Sequence, residues 1–408
     1  MTKRNGVIAF FFMTFLFLGL YMSMLQRVVG EIAARYGLDN TAMGTIIMMT
    51  FAGFLISPIL TGEATDRFGR RSVLLFAFAG MLIGLALSLG LNSPIGIGIG
   101  FFVVGLAFGV FEMTLSSVLT DIRPEGANRI LNYSRLFYAL GTILGPFAAM
   151  GILSVTGNWK FVMLCDLVVF VVLFGIFLLL SFPRPIYPNL IVKEKGQPST
   201  TLRLIKSKVL WLLGLSVMMY MAVEAGLTFY VSEYINQMSS GLLFSTLTLS
   251  VFWLFVAIGR IFTARFQARL HIVIGTLALL AAAGLAICMA TGDLTLSIIA
   301  FGVMGLGCSG MYPTLLAVGK IRFPKYTATV FGILLSVGSV GGIVLPLVMG
   351  SVADASGLKA ALGICLAPLA LMVVLQAVLG FAKGFRLSGD HSAAELSEAS
   401  EQDVRAGQ

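Results

Sequence analysis

Three ionisable side chains lie inside long apolar stretches of the sequence, where a charge is costly to bury. Glu112 and Glu224 lie well within two such stretches, and Arg135 lies near the start of a third. A carboxylate in these surroundings is neutral or paired, and a guanidinium group cannot lose its proton at working pH. We therefore expect Arg135 to contact Glu112. We also expect Glu112, Arg135 and Glu224 to couple the binding and release of a proton or another ion to the function of the protein.

A dense group of charges and glycines follows the second apolar stretch, in the segment GEATDRFGRR. Arginine forms charge-assisted hydrogen bonds with carboxylates, and glycine allows the unusual backbone angles of a short turn. The spacing predicts a latch, a set of contacts that stabilises one conformation and breaks in another. The alternative is that these charges only anchor the helix ends at the membrane surface. The residues assigned to this gate are Gly62, Asp66, Arg67, Gly69, Arg70 and Arg71.

The composition restricts the class of protein to one whose main solvent is lipid. The chain has 408 residues, of which 58% are hydrophobic and 11% charged, and its mean hydropathy is +0.98. Soluble domains carry roughly 25% charged residues, and disordered chains have low hydrophobicity, so both classes are excluded. The four cysteines lack the spacing of metal ligands, and no GxxxxGK[ST] segment is present. We therefore predict no metal, no cofactor and no nucleotide-driven pump.

Twelve apolar stretches of membrane-spanning length are separated by breaks rich in charge, Pro, Gly and Asn. They cover approximately residues 6–32, 41–61, 72–91, 95–119, 130–155, 161–182, 209–231, 242–262, 271–290, 294–318, 328–352 and 359–382. Alternating the twelve helices across a membrane puts 22 of the 27 lysines and arginines on the side of the N-terminus. Positive charge marks the cytoplasmic side, so both termini are predicted to be cytoplasmic. The formal net charge of +9 is then explained by the orientation of the protein in the membrane, and it does not indicate binding of nucleic acid.

The predicted fold class is an all-α membrane protein with twelve transmembrane helices in two pseudo-symmetric six-helix bundles. An internal repeat at an offset of 200 residues supports the two halves, since Phe101–Val118 is similar to Phe301–Val318. Repeated halves predict a solute site near the membrane midplane between them. The predicted divisions are an N-terminal bundle at 1–183, a cytoplasmic linker at 184–208, a C-terminal bundle at 209–386 and a disordered cytoplasmic tail at 387–408.

The segment Gly62–Arg71 resembles the signature loop of the major facilitator superfamily, G-x-L-a-D-R-x-G-R-[KR], with Ala64 in place of the usual leucine. Other segments are similar to the fucose–proton symporter family and its sugar-transporting relatives within that superfamily. These segments are RILNYSRLFYALGTILGP from Arg129, YMAVEAG from Tyr220, FWLFVAIGR from Phe252 and GLGCSGMYPT from Gly305. The resemblance implies cation-driven uptake of sugars or similar polar solutes. It also implies that Glu112 occupies the place of a functional membrane carboxylate.

The first helix departs from this resemblance. Fucose-transporting members carry an acidic residue where this chain has about Gln26, followed by Arg27. Arg27 either pairs with Glu31 one turn away, or joins Arg135 in making the cavity positive and selective for an anion such as a sugar acid. The residues predicted to bind substrate are Gln26, Arg27, Tyr220, Trp253 and Tyr312.

Two residues are assigned structural roles. Pro313 is expected to kink the tenth helix and free a backbone carbonyl, which then needs another partner. Asp166 lies only a few residues from the predicted outer boundary. There we expect a solvated ion pair and no part in transport.

The function predicted from these observations is secondary active transport, by proton-coupled symport of a sugar, sugar acid or related organic anion with alternating access. The alternative is a proton-driven exporter of drugs or metabolites, because GTILGP at Gly141–Pro146 partly matches an antiporter signature. An enzyme is disfavoured, since no cluster of His, Asp or Cys lies near one membrane face. The predicted partners are the solute, a proton or sodium ion and the lipid bilayer, with no nucleic acid. We expect a monomer in the bacterial inner (cytoplasmic) membrane.

Overall fold

The computed structural model describes residues 3–38, 40–180, 200–238 and 242–381, and these segments are helical, with no β-strand among them. The first half contains α1 (Lys3–Tyr36), α2 (Asn40–Phe68), α3 (Arg70–Gly90), α4 (Pro94–Ile122), α5 (Ala127–Thr156) and α6 (Trp159–Leu179). The short α7 (Thr200–Leu204) precedes α8 (Lys208–Met238), α9 (Leu242–Thr263), α10 (Leu270–Ala290), α11 (Leu294–Cys308), α12 (Met311–Arg322), α13 (Thr327–Ser356), α14 (Leu358–Gly363) and α15 (Leu366–Phe381). Most of the predicted linker, at 184–199, and the predicted tail at 387–408 lie outside the described residues.

Ten helical segments of the described chain are long and apolar enough to cross a membrane, and Leu247–Thr263 is a shorter apolar helix. Large apolar side chains lie exposed on their outer faces, among them Phe76, Ile95 and Leu179, each more than three-quarters exposed. Such a surface is stable against acyl chains and not against water. The chain is therefore a multi-pass membrane protein.

The two halves pack in the same way, as the repeat of 200 residues predicts. α2 packs along α4 in the first half, and α9 packs along α11 in the second. A Cβ atom on Gly105 would lie 2.0 Å from the Thr50 carbonyl oxygen, and one on Gly305 would lie 2.4 Å from that of Phe252. Equivalent glycines thus allow equivalent helix pairs to approach closely.

Each half has its own apolar core, and the two cores meet at the interface between the halves. Phe11, Phe78 and Phe101 are fully buried in the first core. The second core, around Phe301 and Phe331, also takes in Met113 and Leu131 from the first half. The interface is therefore a continuation of the second core and not a separate surface.

The segment Gly62–Arg71 is not the loop that the sequence suggested. α2 continues through Gly62, Asp66 and Arg67 to Phe68, and only Gly69 is outside a helix before α3 begins at Arg70. Gly69 has a φ of 88°, a backbone conformation that side chains disfavour. No proline occurs between Gly62 and Gly69, so the polar residues extend the helix instead of ending it. We call the end of the molecule where this turn lies, and where α1 and α5 begin, the basic end.

Candidate transport site

The tenth predicted helix is broken between α11 and α12, and this break positions a tyrosine at the interface of the halves. Proline has no amide hydrogen, so Pro313 cannot donate to the carbonyl of Ser309 four residues earlier. Arg260 of α9 donates to that carbonyl instead, with 3.0 Å between Nε and O. The break leaves Tyr312 at the start of α12, only 5% exposed.

Glu112 and Arg135 form a buried ion pair between α4 and α5. Glu112 is 4% exposed and Arg135 is 3% exposed. Arg135 Nη2 also donates to Ser116 Oγ over 3.0 Å. Its guanidinium carbon lies 4.7 Å from the ring centre of Phe15 and 4.9 Å from that of Tyr312. Aromatic faces stabilise a desolvated cation, so both rings stabilise the buried guanidinium group of Arg135.

The pair reaches across to the second half through Tyr312. Its hydroxyl donates to Glu112 Oε1 over 2.9 Å, so one carboxylate oxygen binds both Arg135 and a tyrosine from the opposite half. The Tyr312 ring stacks on Tyr220 of α8, with 5.7 Å between ring centres and 11° between planes. Tyr220 in turn donates to Glu224 Oε1 over 2.6 Å. Glu112 and Glu224 are therefore linked by two tyrosines.

Arg260 belongs to this layer, and the sequence analysis missed it. Arg260 lies near the end of the predicted apolar stretch at 242–262, and only 2% of it is exposed. Besides Ser309, it donates to the backbone carbonyl of Arg135 in the other half. Its position at the end of an apolar segment made it look like a boundary residue. The unpaired carbonyl expected near Pro313 was the signal that could have found it.

The described layer contains two carboxylates, Glu112 and Glu224, and two guanidinium groups, Arg135 and Arg260. Arg135 therefore adds no net positive charge to it. The side chains of Gln26 and Arg27 lie outside the described residues. Trp253 is half-buried and packs edge-on against Phe252, within the second half. Of the predicted substrate residues, the structure brings Tyr220 and Tyr312 to Glu112 and Glu224.

A second group of charges joins the halves at the basic end. Asp121, at the end of α4, forms ion pairs with Arg70 of its own half and with Lys320 of α12. Lys320 is 4% exposed and also donates to Thr327 Oγ1 over 3.0 Å. Arg71 donates to the carbonyl of Leu178 over 3.2 Å. The side chains of Asp66 and Arg67 lie outside the described residues.

Further hydrogen bonds join the halves between the tyrosine layer and the basic end. Asn128 at the start of α5 donates to the carbonyls of Thr263 and Phe266, over 3.0 and 2.6 Å. Ser336 of α13 donates to the carbonyl of Leu55 in α2 over 2.8 Å. These contacts close the path between the halves at the basic end.

Asp166 is not the solvated residue expected from the sequence. It is 2% exposed, and its Oδ2 atom has no hydrogen-bond partner among the described residues. α6 packs on α1 and α3, and this burial keeps Asp166 from water even though it is close to a helix end. Among the described residues, no group of three or more His, Cys, Asp or Glu could hold a metal ion.

Replacing Arg260 with lysine should lower stability, because an ammonium group at that position cannot reach both carbonyls in the fork geometry of a guanidinium. Losing one charged hydrogen bond costs about 2 kcal/mol. Thermal unfolding of the detergent-purified protein measures this loss. Arg265→Lys is the matched control, since Arg265 is exposed just beyond the end of α9. Equal unfolding temperatures for the two variants would contradict the role given to Arg260.

Two repeated halves of membrane-crossing helices that meet at buried charges are typical of membrane transporters. The chain belongs to the Major Facilitator Superfamily, whose family model matches residues 7–346, and it is therefore a transporter and not an enzyme. The membership that the segment Gly62–Arg71 indicated is thereby confirmed.

Several relatives cover nearly the whole chain. The Protein TsgA homolog of Yersinia enterocolitica is 25% identical over 391 residues, which is 91% of this chain and 94% of that protein. FucP, the fucose:proton symporter of Escherichia coli, superposes with a TM-score of 0.79 at 18% identity, covering 92% of this chain and 99% of FucP. The human organic anion transporter MFSD10 has a TM-score of 0.77 at 18% identity, covering 92% and 100%. The solved structures show a shared fold.

Proposed function

We propose that this protein is a secondary active transporter that couples a proton to the movement of a small polar solute by alternating access. The observation that carries the proposal is the Glu112 carboxylate, which is buried and binds Arg135 of its own half and Tyr312 of the other. A group that joins both halves can change their relative stability when its charge changes.

The coupling follows from the electrostatics of this one carboxylate. Ionised Glu112 attracts the Arg135 guanidinium and accepts from Tyr312. Protonation removes the negative charge, weakens both contacts and frees Arg135 to bind an electronegative group of the solute. Glu224, joined to Tyr312 through Tyr220, is the second candidate for a coupling residue. The two tyrosines are the proposed platform for the solute, together with Gln26, Arg27 and Trp253.

We propose that the basic end faces the cytoplasm and that both termini lie there. Cationic residues cluster at this end, in agreement with the usual distribution of positive charge. The twelve-helix arrangement requires that α2 and α9, each second in its half, also span the membrane. Contacts that join the halves at the basic end support an outward-facing state, which is also the conformation given for one of the similar FucP structures. The proposed location is the bacterial inner membrane, with the protein acting as a monomer.

The proposed solute is a sugar, a sugar acid or a related organic anion. FucP is a fucose:proton symporter and MFSD10 an organic anion transporter, so proteins of this fold carry both classes. Balanced charge in the described layer supports a neutral or singly charged solute over a polyanion, which would leave excess charge buried.

Purified protein in sealed vesicles tests the proposal. An inward proton gradient should drive accumulation of a labelled sugar or sugar acid, and a protonophore should abolish it. A sodium gradient in the absence of a proton gradient tests the other coupling ion. Vesicles without protein are the control. Movement of solute only against the direction of the proton gradient would identify an exporter, and no gradient-dependent movement of any solute in the set would contradict the proposal.

A further inference from the structure

A large cavity opens at the basic end, separate from the tyrosine layer. It has a volume of about 1260 Å³ and lies between the ends of α1, α3, α4 and α5 in the first half. Five arginines line it: Arg4, Arg70, Arg71, Arg123 and Arg129. Asp121 and Glu125 are its acidic lining residues, so positive charge exceeds negative by three.

The side chains of two of these arginines form no contact that stabilises the described part of the fold. Arg4 donates to the carbonyl of Ile122, and Arg70 pairs with Asp121. Arg123 and Arg129, in contrast, are exposed at the cavity, and their guanidinium groups have no hydrogen bond or ion pair with the described residues. Asp121 cannot satisfy them as well, because it already binds Arg70 and Lys320.

Arg70 itself retains unused capacity to bind an anion. Its Nε atom is buried and has no hydrogen-bond partner among the described residues. α3 begins at Arg70 without a side-chain cap at Gly69, so its first amide groups lack the usual helix partners, and Gly69, Arg70 and Ser72 line the cavity. Guanidinium groups and free helix-start amides are both donors that suit phosphate oxygens.

Part of the cavity lining is apolar. This feature helps to decide whether the bound phosphate belongs to a phospholipid or to a free phosphate ion. Ile8, Phe12 and Ile130 line it together with the arginines. A free phosphate ion is fully hydrated, gains nothing from such a wall and would fill a small part of the volume. A phospholipid matches both features, because its headgroup carries the phosphate and its acyl chains are apolar.

We propose that this cavity binds the headgroup of an anionic phospholipid from the cytoplasmic leaflet. The placement in that leaflet rests on the orientation given under the proposed function, while the binding chemistry does not. Arg123 and Arg129 contact the headgroup, and Arg70 is shared between the headgroup and Asp121. Because Asp121 also binds Lys320 of the other half, occupancy of the cavity acts on a contact that closes the basic end.

Native mass spectrometry of the detergent-purified full chain tests this binding without any transport measurement. Phosphatidylglycerol should bind at least about tenfold more tightly than phosphatidylcholine with the same acyl chains, a difference of about 1.4 kcal/mol. The double variant Arg123→Gln/Arg129→Gln should bind the two lipids equally. The matched control is Arg265→Gln/Arg269→Gln, which removes two exposed arginines near the same end of the second half. It should keep the wild-type preference.

The lipid preference of the wild type and of the two double variants decides whether the cavity is a phospholipid site. Equal binding of both lipids to the wild type would overturn the proposal, as would an equal loss of preference in both double variants. Displacement of phosphatidylglycerol by inorganic phosphate at matched concentration would assign the cavity to a soluble phosphate instead. A positive binding result together with absent transport would refute only the proposed function, so the two failures are distinguishable.

Discussion

Replacing Glu112 with glutamine should abolish proton-driven accumulation of solute. Glutamine retains an oxygen that can accept from Tyr312, but it cannot gain or lose a proton. A gradient of one pH unit supplies about 1.4 kcal/mol for each coupled proton, which is about a tenfold accumulation. The variant should therefore reach a solute ratio of about one, as expected for passive equilibration by an uncoupled carrier. Accumulation and solute exchange, measured in the same vesicles, separate loss of coupling from loss of the carrier.

The matched control for this substitution is Asp354→Asn, because Asp354 is exposed near the end of α13 opposite the basic end. It should accumulate solute like the wild type. Wild-type accumulation by Glu112→Gln would show that Glu112 does not carry the coupling proton. Loss of both accumulation and exchange would instead show that the variant no longer transports.

The thermal stability of variants at Glu112 and Arg135 independently tests whether these two residues form an ion pair. Glu112→Gln leaves Arg135 buried without a counter-charge, and removing one partner of a buried pair costs about 3–5 kcal/mol. The double variant Glu112→Gln/Arg135→Gln removes both charges, so it should unfold at a higher temperature than Glu112→Gln alone. A double variant less stable than the single one would indicate that Arg135 has a further buried partner.

Replacing Asp121 with asparagine should shift the protein toward a state that is open at the basic end. The substitution removes the ion pairs with Arg70 and Lys320. Among the described residues it leaves the buried Lys320 ammonium group with hydrogen bonds to Thr327 and the Pro324 carbonyl. A weakening of about 1.4 kcal/mol changes the ratio of the two states about tenfold. Ser336→Cys, introduced into a cysteine-free background, reports this opening. Its rate of labelling by a membrane-impermeant maleimide applied from the basic side should rise about tenfold.

Glu125→Gln is the matched control for Asp121→Asn, since Glu125 is an exposed carboxylate at the same end. It should leave the labelling rate of the Ser336→Cys reporter unchanged. Lys320→Met should raise the rate in the same direction as Asp121→Asn, and the two changes combined should add little. An unchanged rate in Asp121→Asn would show that this ion pair does not hold the basic end closed.

The sequence predicted the positions of the helices because hydropathy and length constrain a chain in lipid directly. The internal repeat could also be recognised in the sequence, because positions 105 and 305 require glycine where two helices approach this closely. The pairing of Glu112 with Arg135 could be inferred because neither side chain is stable alone in apolar surroundings.

Other features depend on the packing between the halves, which no local pattern encodes. Arg260 ends an apolar segment, so its sequence context cannot distinguish a boundary residue from a buried one. The bond between Tyr312 and Glu112 required knowing which face of the broken helix meets α4. Asp121 follows the predicted apolar stretch at 95–119, and the sequence does not indicate that Lys320 of the opposite half is its partner.

The bond from Arg260 to the other half has a further consequence, because its acceptor is a main-chain oxygen. Every residue type presents the same carbonyl at position 135, so this tether survives any side-chain replacement there that preserves α5. A substitution at position 135 can therefore change the chemistry of the buried layer without removing this contact between the halves.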